Sequence, residues 1–115
     1  MIRTALVLVL GALAATFVLA TTGSAAAKAK RLTATVGPGF TISMSVKSVK
    51  PGTYTITVKD RSNIHNFHLI GRGVDKATSV PAVKTTTWKV TLKKGTYRFI
   101  CDPHASFMKG VLKVG

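Results

Sequence analysis

Glutamate is absent from this 115-residue chain, and three acidic residues stand against 17 lysines and arginines, a formal net charge of +14 at pH 7. That balance excludes a neutral surface and points to an acidic partner or an anionic surface. Cysteine is nearly absent too. The single Cys101 excludes an intrachain disulfide, the cross-link on which small exported domains often rely. After the N-terminal apolar run, no ten-residue segment shows helical apolar periodicity, which excludes a helical fold. Aromatic residues interleaved with basic ones, the pattern that stacks bases, are also missing, so nucleic acid is not an expected partner. No internal repeat is visible.

What is present begins with a secretory pattern. Arg3 supplies a short basic region, an apolar run from Ala5 to Ala20 is broken only by Gly11 and Thr16, and small residues lead to an A-x-A site ending at Ala27. The run is shorter than the roughly 20 apolar residues a helix needs to span a bilayer. With no twin arginine and no nearby cysteine for lipid attachment, a plain secretory signal is expected, and an uncleaved N-terminal anchor is the alternative. The expected boundaries are 1–27 for the signal and 28–115 for one small domain of 88 residues, charged about +13. The protein is then secreted or extracytoplasmic, in the cell envelope, and membrane-anchored if the signal is retained.

The remaining chain alternates short β-branched runs with turn signals at Gly37-Pro38-Gly39, Lys50-Pro51-Gly52, Gly71-Arg72-Gly73 and Lys93-Lys94-Gly95. Strands are predicted over residues 32–36, 40–46, 53–59, 64–70, 86–92, 96–101 and 109–114. Residues 73–85 show no pattern and are expected to form an irregular surface connection. Alternation puts Tyr54, Ile56 and Val58 on one face, and Tyr97, Phe99 and Cys101 likewise face one way, into the core. Met44 and Trp88 are expected to pack rather than to bind a ligand.

The chemistry concentrates in Cys101-Asp102-Pro103-His104-Ala105-Ser106-Phe107-Met108, which sets a thiol, an imidazole and a thioether within eight residues. These are soft donors suited to copper. His65 offers a second imidazole, completing the parts of a trigonal two-histidine, one-cysteine site with a weak methionine above it, the blue-copper arrangement. A tight loop can bring Cys101, His104 and Met108 to three vertices, and Pro103 stiffens it while removing one N–H near the thiolate. A metal bound across distant segments would also supply the cross-link that one cysteine cannot. His68 lies three residues beyond His65; on a strand the two face opposite ways, so His68 is expected to be exposed or bonded locally.

The segment from Gly95 to His104 resembles the last-strand signature of plastocyanin-type cupredoxins, and His65-Asn66 resembles that family's upstream histidine–asparagine pair. The likeness covers most of the chain after the signal. It implies an all-β, cupredoxin-like Greek-key β-sandwich or barrel of about seven strands that holds one type 1 copper ion, Cu(I) or Cu(II). By the same resemblance His65, Cys101 and His104 are ligands, Met108 is axial, and Asn66 ties the two ligand loops together. Plastocyanins commonly place four residues between the second histidine and the methionine. Here only Ala105, Ser106 and Phe107 intervene, as in azurins, and this leaves axial coordination by Met108 open.

The implied function is one-electron transfer by an exported monomer, with an acidic redox protein as partner and an exposed His104 edge as the exchange point. Copper sequestration or delivery without redox turnover is the alternative, but methionine-rich and histidine-rich tracts are lacking. The basic surface also suits an anionic envelope or membrane surface. Oxidase or reductase chemistry is not expected: three histidines cannot build a trinuclear cluster beside this site, and one cysteine cannot build a dinuclear centre.

Overall fold

The computed structural model describes residues 11, 12, 14–16 and 29–115. The expected secretory segment at 1–27 falls almost wholly outside the described residues. Among these, nine strands follow one another: β1 Lys30–Val36, β2 Ile42–Met44, β3 Ser48–Val49, β4 Gly52–Asp60, β5 His68–Gly71, β6 Val74–Ala77, β7 Thr85–Leu92, β8 Gly95–Ile100 and β9 Lys109–Val114. A single 3-10 turn, Asp102–His104, lies between the last two.

The strands form two sheets, ordered β2-β1-β4-β7 and β3-β9-β8-β5-β6. Parallel pairs β1–β4 and β3–β9 make both sheets mixed. Period-two patterning makes the sandwich. Leu32, Ala34 and Val36 from β1, Tyr54, Ile56 and Val58 from β4, and Tyr97 and Phe99 from β8 are all buried, and threonine, lysine or arginine occupies most positions between them. Trp88 and Met44 pack against this core, as expected.

Two sequence expectations fail in an informative way. Residues 64–67 are not a strand, because side chains rather than a ladder take main-chain donors of this segment and of Ser62 just before it. Ser62 N–H donates to Asp60 Oδ1 (3.0 Å), Ile64 N–H to Ser62 Oγ (3.3 Å) and Phe67 N–H to Thr78 Oγ1 (2.9 Å). Residues 73–85, expected to be irregular, contain β6, which closes an antiparallel hairpin with β5 over the turn at Arg72-Gly73. β6 is exposed along Asp75–Ala77 and so lacks the apolar alternation that would mark it. The extra strands β3 and β6 are both short, and they raise the count from seven to nine.

Glycine is required where the sheet carries an aromatic ring across its backbone. A Cβ on Gly110 of β9 would lie 2.1 Å from the Phe99 ring, and Phe99 is a buried core residue in register with Gly110. Gly110→Ala should therefore destabilise the metal-free protein by about 1–3 kcal/mol through overpacking. Gly39→Ala, where a Cβ meets nothing within 4 Å, should stay within about 0.5 kcal/mol. Urea denaturation of the two variants checks the contrast.

Candidate metal centre

Strand β8 delivers Cys101 to the end of the sandwich by the expected alternation: Tyr97, Phe99 and Cys101 are all buried. The strand ends there because Pro103 follows and opens the 3-10 turn Asp102–His104. The loop then closes on itself. Cys101 N–H donates to Met108 O (3.0 Å), His104 N–H to Cys101 O (3.0 Å) and Met108 N–H to His104 O (2.8 Å), so the loop starts and finishes at one place. Met108 is fully buried at its base.

His65 arrives from the irregular segment ahead of β5. Gly37 makes room for that segment: its φ is +71°, and a Cβ there would lie 2.8 Å from Ser62 Cβ. The result is a cluster of three donor atoms. His65 Nδ1 lies 3.1 Å from His104 Nδ1, and Cys101 Sγ lies 3.7 Å from the first and 3.6 Å from the second. The centre of such a triangle is about 2 Å from each corner, close to metal–imidazole bonds of about 2.0 Å and metal–thiolate bonds of about 2.3 Å. His65 and Cys101 are fully buried, and no carboxylate belongs to the cluster. His65 Nε2 is buried without a hydrogen-bond partner among the described residues, so the chemistry of this ring turns on Nδ1. A soft, largely buried triangle of two imidazole nitrogens and one sulfur suits a copper ion.

The expected separation of the two upstream histidines holds in the geometry, though not for the expected reason. His65 is off the strand, and the divergence comes from the turn ahead of β5. His68, the first residue of β5, directs Nδ1 to Asp102 Oδ1 at 2.8 Å and Nε2 to Asp75 Oδ1 at 2.5 Å. It takes no part in the donor triangle.

Asn66 braces the two ligand segments. Its Oδ1 accepts the Asp102 N–H (2.8 Å), and its Nδ2 donates to Asp102 Oδ2 (2.7 Å) and Thr78 O (3.2 Å). Thr78 Oγ1 in turn donates to Asp60 Oδ2 (3.4 Å). All three acids of the chain thus belong to one network around the donor triangle. Burial pushes the Asp60 carboxyl up, an effect only partly offset by Ser62 N–H, Thr78 and His65. Burial would raise Asp102 as well, but hydrogen bonds from His68 and Asn66 outweigh it and hold that carboxyl below the usual range.

Sequence reading missed Phe40 and Phe107. Both are exposed, at 60% and 59%, and their centroids lie 5.2 and 5.5 Å from His104 and 5.9 Å from each other. Phe40 also meets His65 edge-on at 5.1 Å. It was placed on a strand, yet Gly37 N–H donates to Thr41 O and makes it part of a turn. An aromatic residue directly after Gly37-Pro38-Gly39 was the available signal.

The chain belongs to the cupredoxin-like domain family, whose profile matches residues 9–114. Among solved structures it is similar to rusticyanin from Thiobacillus ferrooxidans, with a TM-score of 0.57 and 20% identity over 74% of this chain and 76% of that one. Dithionite-reduced auracyanin from the photosynthetic bacterium Roseiflexus castenholzii gives 0.54 and 21%, over 76% of this chain and 98% of that one. An oxidised amicyanin variant gives 0.51 and 19%, over 72% and 80%. No curated protein sequence matches the chain at a significant level.

Asn66→Ala removes three hydrogen bonds and leaves the Asp102 N–H without its partner. It should cost about 1–3 kcal/mol in the metal-free protein, whereas Asn63→Ala, at an exposed position, should change stability by less than about 0.5 kcal/mol. Denaturant titration of both variants provides the check.

Proposed function

We propose that this protein is an exported one-electron carrier that would hold a single copper ion on His65 Nδ1, Cys101 Sγ and His104 Nδ1, with Met108, buried at the base of the same loop, as a further weak donor. The observation that carries the reading is the donor triangle, whose edges of 3.1, 3.6 and 3.7 Å leave bonding distance at its centre. Relatives support it: rusticyanin is described as a copper protein, and related structures have been obtained in reduced and oxidised forms. Export rests on the N-terminal secretory pattern.

When bound, copper supplies a one-electron couple. The chain's own residues keep that couple fast. The sandwich and the Asn66 brace fix the donors in advance, so little has to reorganise between oxidation states. Buried His65 and Cys101 exclude water from the thiolate. His104 is half-buried, with Nδ1 turned inward and its ring beside the exposed faces of Phe40 and Phe107, which makes this edge the exchange point. Release of copper to an acceptor would need donors within reach of solvent, and two of the three are fully buried. That does not favour a delivery role.

Adding Cu(II) to the purified protein should produce an intense blue absorption that Cys101→Ser abolishes while the β-rich circular dichroism persists. A serine variant that still turns blue would refute the ligand assignment.

The partner in this reading is an acidic redox protein, and the charge supports it. With all three aspartates tied into the network at the site, no aspartate is left among the described residues to offset the lysines and arginines. Electrostatic steering raises association rates by about 10- to 1,000-fold at low salt, and the field reaches only about 8 Å at physiological ionic strength. Stopped-flow reduction by an acidic donor should therefore slow steeply with added salt, and reduction by a basic donor should accelerate. A flat response with both would shift the role of the charge to retention on an anionic envelope or membrane surface.

A further inference from the structure

His68 is outside the donor triangle, yet two of the three carboxylates of this protein converge on it. Asp102 Oδ1 faces Nδ1 and Asp75 Oδ1 faces Nε2. Ionised carboxylates only accept hydrogen bonds, so a ring that satisfies both contacts carries a proton on each nitrogen and is an imidazolium. The surrounding strands offer that charge no other acid. Its cross-strand partners Ala77 and Ile100 are uncharged, Arg98 and Lys109 are the nearest charged positions on β8 and β9, and Lys76 falls on the alternate face of β6.

One of the two carboxylates belongs to the residue directly after Cys101. That residue is bonded in both directions to Asn66, the residue directly after His65. A change at His68 therefore reaches both ligand segments through one shared partner. We propose that His68 is a positioning residue that sets the reduction potential: a cation clamped between β6 and the ligand loop, it fixes Asp102 and offsets the negative charge beside the thiolate. The inference rests on the copper reading above. Oxidation adds a unit of positive charge at the site, so the His68 cation raises the potential, and an uncompensated Asp102 carboxylate lowers it.

A pH dependence follows. Burial alone would lower the His68 pKa, but hydrogen bonds to Asp102 and Asp75 outweigh it and hold the ring above the ordinary value of 6.5. The cation is complete below 6.5, persists through that value and is lost as pH rises through the raised pKa. The potential should then step downward on the alkaline side, and oxidation should in turn weaken the hold of His68 on its proton.

The test uses the full chain. In the metal-free protein, NMR should show one imidazole, absent from His68→Gln, that deprotonates above 6.5, and Asp75→Asn should bring that transition to lower pH. In the copper-loaded protein, His68→Gln should lower the potential enough to change the oxidised-to-reduced ratio about tenfold at fixed ambient potential, or about 59 mV for a one-electron couple. It should also abolish the alkaline step. His68→Arg keeps a cation within reach of both carboxylates and should restore the neutral-pH potential without restoring the step. Asp75→Asn alters an exposed side chain and tests the same step if the His68 variants fold poorly. An unchanged potential and pH profile in His68→Gln, even with lowered stability, would overturn the inference while the blue wild type preserved the copper reading. A wild-type chain that takes up no copper would remove both.

Discussion

The two-way hydrogen bonding between Asn66 and Asp102 is the contact on which the metal centre depends. It joins segments 36 residues apart in sequence, each holding a donor next to the bonded residue. Without it, His65 would sit on an irregular segment whose main chain has no ladder to hold it, facing a loop held by its own turn bonds and the contact of Asp102 with His68. The sandwich brings β5 and β8 together as antiparallel neighbours, with His68 in register with Ile100. That register brings Asn66 opposite Asp102, so the brace is a consequence of strand pairing and extends its precision two residues past the end of the ladder. Preorganisation of this kind is what rapid one-electron exchange requires of a protein scaffold.

Much of this was legible in the sequence because it obeys period two. Tyr54-Thr55-Ile56-Thr57-Val58 and Tyr97-Arg98-Phe99-Ile100-Cys101 alternate strictly, and they form the two central strands that enclose the core. Two corners of the donor triangle were legible from residue type and spacing, since Cys101 and His104 lie on one short loop. The path of residues 61–67 was not legible from periodicity. Asn63-Ile64-His65-Asn66-Phe67 has the composition of a strand end, but Ile64 N–H goes to the Ser62 side chain and Phe67 N–H to that of Thr78, a choice that depends on tertiary neighbours. β6 escaped notice for a related reason. An edge strand facing solvent needs no apolar alternation, and Val74-Asp75-Lys76-Ala77 has little.

Scarcity of acid takes on meaning once the aspartates are placed. A strongly cationic chain repels itself, and scattered surface carboxylates would relieve that strain most simply. Here Asp60 is buried beside Ser62 and Thr78, and Asp75 and Asp102 flank His68. Negative charge is thus gathered in the network around the donor triangle, and the remaining charged side chains among the described residues are lysines and arginines. In the proposed reading the distribution separates two tasks: the cationic faces would provide long-range attraction toward an acidic partner, while the exposed aromatic rim at Phe40 and Phe107 would provide the short-range contact where charge would obstruct close approach.

This separation also bears on how so small a domain stays folded. With one cysteine there is no disulfide to limit the unfolded chain, and self-repulsion acts against the compact state. In the proposed reading the copper ion supplies the missing tie, since an ion that binds the folded chain and not the unfolded one adds its binding free energy to stability. The tie falls outside the sheet ladders, at an irregular segment and a turn beyond the ends of β5 and β8. It brings together two imidazole nitrogens 3.1 Å apart, an approach that unprotonated lone pairs resist and a shared cation favours. The same ion that gives the site its redox chemistry would therefore hold its loops closed, and the hydrogen-bond network formed by Asn66, Asp102 and His68 would set the terms on which it does so.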